Sequence, residues 1–147
     1  MAHNEIARQL KEHSINRRYR AIVTGVLKDE EGTIEGAIGR DKKDRKKMAI
    51  TADGKPAVTH YRVLQRFKHY TYVECVLETG RTHQIRVHMK HLGYPLIGDY
   101  LYHPDMTKID RQALHSSLLE FTHPITKKAM KLSAPLPCDM RKLFPDF

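Results

Sequence analysis

What the 147-residue sequence has little of sets its first limits. No apolar run approaches the roughly 20 residues that cross a bilayer as a helix, and the first residues hold no apolar stretch of the secretory-signal kind. The expectation is a soluble, cytoplasmic protein with no membrane partner. Cysteine is scarce: Cys75 and Cys138 stand alone, without CxxC spacing, so both are expected to be free thiols. Gly32, Gly36 and Gly39 lack both the spacing and the following helix of a phosphate-cradling loop. Of His83, His88 and His91 only the last two share a helical face, and no HExxH-type arrangement supplies a base, so no metal site is expected. Spacing identifies no Ser/His/Asp or Cys/His constellation, and there is no internal repeat or low-complexity tract. Acidic residues are the last shortage: 17 Asp and Glu face 26 Lys and Arg, leaving +9 at pH 7. Such an excess points to a polyanionic partner such as RNA, DNA or an acidic surface; the plain alternative is a basic protein without one.

What is present is a series of short periodic segments. Asn4 to His13 places Ile6, Ala7 and Leu10 at helical spacing behind a good N-cap residue. From Arg18 to Leu27 the pattern alternates, with Tyr19, Ala21 and Val23 on one face and Arg20, Ile22 and Thr24 on the other, as in a strand. A short strand is expected over Thr33 to Ile38. The charged run Arg40 to Lys47 follows, and it reads first as a solvated loop and second as a surface resting on phosphates. Val58 to Phe67 and Tyr70 to Leu77 alternate around Lys68 and His69, which predicts an antiparallel hairpin. Thr82 can cap a helix carrying Ile85, Met89 and Leu92, stopped by Gly93. Asp110 to Leu118 looks helical, and Leu119 to Thr122 with Ala129 to Leu132 looks like a hairpin around His123 and Pro124. The size suits one domain or part of one, of α+β class, with a mainly antiparallel or mixed sheet and two or three flanking helices.

The densest chemical signal runs from Glu78 to His88. Arg81 precedes a helix N-terminus, where free N–H groups and the helix dipole favour an anion and a guanidinium adds a bidentate donor. Arg86, His83 and His88 add donors that a helix facing nucleic acid would use; a solvated helix start with an incidental arginine is the alternative. Tyr19, between Arg17, Arg18 and Arg20, can stack on a base while its neighbours hold the backbone, although an alternating strand also places tyrosines in cores.

These residues resemble a known family. The stretch Thr79-Gly80-Arg81-Thr82-His83-Gln84-Ile85-Arg86-Val87-His88, followed by Leu92-Gly93-Tyr94-Pro95-Leu96-Ile97-Gly98-Asp99, is similar to the late motif of RluA-type, ribosomal-large-subunit RNA pseudouridine synthases. Arg17 to Ala21, Gly54 to Tyr61, Arg111 to His115, His123-Pro124 and Ala134 to Pro137 resemble further family segments in the same order, so the likeness covers nearly the whole chain. It implies a reaction in which uracil is detached from its ribose in RNA, turned, and rejoined through carbon, with no metal or organic cofactor. It also implies roles: Arg81 as the buried arginine that holds the catalytic aspartate ionised, Tyr19 as the catalytic tyrosine against the target base with a part in proton transfer, and Ile85 lining the uracil pocket; Arg86 and His83, as donors on the same helix, are expected to bind substrate.

One element of the family pattern is missing: none of the aspartates, Asp29 through Asp146, follows Arg-Leu. All 147 residues therefore read as the C-terminal portion of the catalytic domain, expected to be inactive alone. The implied partner is ribosomal RNA, with transfer RNA a further possibility, and self-association through surface exposed by truncation is expected. A non-catalytic RNA-binding module is the alternative.

Overall fold

A computed structural model describes residues 16–102, 109 and 111–144. The helix expected over Asn4 to His13 lies outside them. Eight strands are seen: β1 (Asn16–Thr24), β2 (Glu31–Glu35), β3 (Ile38–Arg40), β4 (Met48–Ile50), β5 (Val58–Arg66), β6 (Tyr70–Leu77), β7 (Leu114–Thr122) and β8 (Ala129–Ser133). Two helices accompany them, α1 (Gln84–Leu92) and the one-turn α2 (Cys138–Arg141). Six strands form one sheet in the order β2-β5-β6-β1-β7-β8, while β3 and β4 form a separate ribbon. Every pairing is antiparallel. The α+β class and the antiparallel character expected from the alternating segments are both found.

β1 organises the molecule because both of its edges and both of its faces are used. Ala21 pairs with Val73 of β6 on one side and with Leu114 of β7 on the other. Its odd residues enter a core with Val73, Cys75, Ile85, Met89 and Leu96, against which Tyr19 packs. Its even residue Ile22 enters a second core with Tyr72, Ile97, Ala113, Met140 and Leu143. A third cluster, Ile38, Ala57, Val87 and Tyr102, joins the ribbon to α1. Burying a side chain the size of Ile85 or Met89 contributes about 1.5–3 kcal/mol each, enough to hold a helix too short to persist in water.

α1 begins one residue later than expected. Thr82 does not cap it; His83 does, in the left-handed region at φ 56° and without a side-chain cap bond. The Gln84 amide takes over that work. Its oxygen accepts from the Arg81 N–H at 3.0 Å and the Thr79 hydroxyl at 2.7 Å, while its nitrogen donates to the Val58 carbonyl and Thr59 Oγ1, both at 2.9 Å. At the other end Gly93 stops the helix at φ 99°, as its position predicts.

The helix expected over Asp110 to Leu118 is not there: from Leu114 onward the chain is β7. The apolar spacing of Leu114, Leu118 and Phe121 fits a helix locally, but pairing with β1, from Asn16↔Glu120 to Ala21↔Leu114, decides the outcome. The expected hairpin of β7 and β8 does form, with Phe121 opposite Met130.

Candidate active site around the first helix

Three groups of side chains meet along α1. The first is apolar: Ile85, 4% exposed, lies in the core cluster against which Tyr19 packs, so the two residues expected to frame a uracil share one environment. The second is ionic. Arg86 grips Asp99 in a fork, Nε to Oδ2 at 2.9 Å and Nη2 to Oδ1 at 2.8 Å, with both residues buried. Asp99 Oδ1 also accepts the N–H groups of Leu101 and Tyr102 at 3.2 and 3.3 Å. Gly98 makes this geometry possible: it sits at φ 71°, and a Cβ there would collide with the Arg111 carbonyl. The Arg86 guanidinium lies 5.0 Å from the Tyr102 ring centre and 5.8 Å from that of Tyr100. Burial works against its charge, but the hydrogen bond and the charge of Asp99 outweigh it and raise the pKa above the ordinary arginine value.

His83 joins this group from the helix start. Its Nδ1 lies 2.8 Å from the Tyr102 hydroxyl, which itself accepts the Met48 N–H at 2.8 Å. Burial, then the nearby Arg86, lower the His83 pKa and favour the neutral ring. Behind it runs a buried polar chain. Gln84 donates to Thr59, the Thr59 hydroxyl meets His88 Nδ1 at 2.8 Å, and His88 Nε2 reaches the Gly36 carbonyl at 3.0 Å. Because a carbonyl can only accept, Nε2 carries the proton and Nδ1 takes that of Thr59. Burial lowers the His88 pKa and keeps the ring neutral.

Arg81 belongs to a third place. It is half-buried, donates from Nε to the Pro56 carbonyl at 2.9 Å, and lines a cavity of about 390 Å³ with Arg40, Asp53, Lys55 and Thr82. Among the described residues it has no carboxylate partner. The sequence reading asked for a buried arginine holding a carboxylate at Arg81; that geometry exists at Arg86, one and a half turns further on, where the helix points inward. Asp99 and Tyr102 were missed. The signal that could have found Asp99 is the single acidic residue after Gly98 in an otherwise apolar stretch, opposite an arginine on a buried helix.

No group of three or more His, Cys, Asp or Glu residues suited to a metal ion exists among the described residues. The arrangement holds a fixed guanidinium at Arg86 and, at Arg81, a cavity with two further cations, Arg40 and Lys55, of the kind a phosphate backbone favours.

Comparison with known proteins agrees in kind. The profile of the family described as RNA pseudouridylate synthase matches residues 1–91. An uncharacterized RNA pseudouridine synthase of Bacillus subtilis, YlyB, is 53% identical over 144 residues, covering 97% of this chain and 48% of that protein. The ribosomal large subunit pseudouridine synthase D of Pseudomonas aeruginosa is 47% identical over 152 residues, covering 94% of this chain and 47% of its own length. Among solved structures, human RNA pseudouridylate synthase domain containing 1 superposes with a TM-score of 0.79 at 28% identity, over 90% of this chain and 59% of that one. The chain thus spans about half the length of the curated relatives it matches. Taken with the ordered motifs and the sheet that carries them, these matches show that the chain belongs to the RNA pseudouridylate synthase family.

Proposed function

We propose that this chain supplies the C-terminal portion of the catalytic domain of an enzyme that isomerises uridine to pseudouridine in ribosomal RNA, acting in the cytoplasm. In that reaction the bond from ribose C1′ to uracil N1 breaks, one from C1′ to C5 forms, and a proton leaves C5 while N1 regains one. Tyr19 and Ile85 would bracket the ring, and Arg86, fixed in place by Asp99 through Nε and Nη2, would turn its remaining Nη1 to the catalytic carboxylate. Arg81 and His83 would contact RNA from the start of α1. The observation that carries the reading is the shared apolar environment of Tyr19 and Ile85, with the next residue, Arg86, held rigid by Asp99. Ribosomal RNA is favoured by the relatives named for the large subunit. A cytoplasmic site is compatible with the lack, among the described residues, of any helix long and apolar enough to cross a membrane.

Since no aspartate here follows Arg-Leu, the 147 residues alone should be inactive. The test is complementation. The chain is combined with a separately expressed N-terminal piece carrying Arg-Leu-Asp, and pseudouridine in large-subunit RNA is mapped. Modification only in the combined sample, lost with an Arg86→Ala chain that still folds by circular dichroism, supports the reading. Modification by the chain alone overturns the claim of inactivity, and none in the mixture, with both parts folded and associated, overturns the catalytic reading. Self-association is part of the same proposal, favoured by two open sheet edges, β2 and β8, and by the exposed Leu132 on β8.

A further inference from the structure

We propose that the sheet face turned away from α1 carries a second RNA contact, a site for one backbone phosphate built on Arg18, Arg20 and Lys131. It rests on the RNA-acting reading above but uses none of the residues assigned to the uracil. Glu74 of β6 is 5% exposed and lies in register between Arg20 of β1 and Arg62 of β5. Three guanidiniums converge on it: Arg20 at 3.1 Å, Arg18 at 3.2 Å and Arg62 at 3.5 Å. One carboxylate needs one such partner, so the group keeps an excess of two positive charges.

Beside it opens a cavity of about 400 Å³ whose wall adds the cation of Lys131 and the hydroxyls of Ser117 and Ser133. The Nε atoms of Arg18 and Arg20 are buried and, among the described residues, have no hydrogen-bond partner. The two side chains nevertheless stay 39% and 33% exposed, so a phosphodiester in the cavity, with several oxygens and one negative charge, meets the surplus charge from the open side without reaching the sealed Nε atoms. The volume suits one nucleotide, and Pro135 and Leu136 give its sugar or base an apolar wall. A purely structural ion cluster would not need the surplus charge. Because Arg18 and Arg20 flank Tyr19 on one strand, alternation alone sends the tyrosine to the uracil side and the two cations to the other.

The test is a titration of the ¹⁵N-labelled 147-residue chain with oligouridylate, with its methylphosphonate analogue, and with inorganic phosphate, following the arginine Nε–H signals. Arg18→Gln assigns the Arg18 signal. Lys131→Gln, at the cavity wall and outside the Glu74 cluster, tests the charge without disturbing the fold. Expected are saturable shifts of Arg18 and Arg20 with oligouridylate only, an affinity lowered roughly three- to tenfold in Lys131→Gln, and a log–log salt slope shallower by about 0.7 for one lost phosphate contact. Oligouridylate that binds by anisotropy while these signals stay still and Lys131→Gln binds normally overturns this site and leaves the functional reading standing. Equal shifts with inorganic phosphate and no further response to oligouridylate overturn it in favour of a free-anion site. No binding of oligouridylate or of a ribosomal RNA fragment overturns both.

Discussion

Replacing Asp99 by alanine leaves the Arg86 guanidinium buried without its counter-charge. Both side chains are nearly sealed from solvent, at 7% and 1% exposure, and the fork has two bonds of 2.8 and 2.9 Å. Removing one partner of such a pair costs about 3–5 kcal/mol, because the survivor keeps its desolvation penalty and loses the compensation. A domain of this size has about 5–15 kcal/mol in total, so the loss is a large fraction of it and lowers Tm by about 6–20 °C. Asp99→Asn separates charge from shape, since its oxygen can still accept the Leu101 and Tyr102 N–H groups; it should fall between alanine and wild type. The double variant Arg86→Met with Asp99→Leu removes both charges together and should recover most of the stability lost by Asp99→Ala. Urea unfolding followed by far-ultraviolet circular dichroism measures all four proteins. An Asp99→Ala variant within about 1 kcal/mol of wild type, or a double variant no more stable than the single, would refute the argument that the pair is a charge buried on condition of its partner.

The remaining predictions are smaller. His88 and His83 are held neutral with pKa values below 6.5, so protons bind the unfolded chain first and stability falls as pH drops below that value. The urea midpoint should therefore decrease between about pH 7.5 and about pH 5, and an unchanged midpoint would contradict the buried neutral rings. Gly93→Ala forces a side chain into φ 99° although the space is open, which should cost about 1 kcal/mol in the same assay. Only one thiol should react with a disulfide reagent in the native chain: Cys138 is exposed, whereas Cys75 is buried with its pKa pushed up to about 12. Leu132→Lys on the β8 edge should shift the mass seen by light scattering toward the monomer; no shift, where wild type associates, would move the contact elsewhere.

Local pattern was a good guide where burial follows from neighbours in sequence. The alternation of β1, the tight β5–β6 hairpin and the Gly93 stop of α1 could all be read because each depends on residues only a few positions apart. β7 could not, since its partner Asn16 lies 104 residues away from Glu120 and only that pairing turns a helix-like spacing into a strand. The same limit applies to the site. Tyr19 and Ile85 were legible as types, but which arginine of the motif is buried depends on Asp99, which the glycine turn at Gly98 folds back onto the helix. His83 in a left-handed conformation, with Gln84 closing the helix start, likewise follows from contacts to β5 that the local sequence does not announce.

The double pairing of β1 has a consequence for synthesis. During translation β1 emerges first among the described strands and finds its β6 neighbour after about fifty residues, but its other edge waits for β7, nearly a hundred residues later. Through that interval the nascent chain displays a strand open along at least one edge and carrying Ala21, Ile22 and Val23, three residues that end with no exposure at all. That interval is the stretch of synthesis in which an open strand edge is available for wrong pairing or for capture by a chaperone.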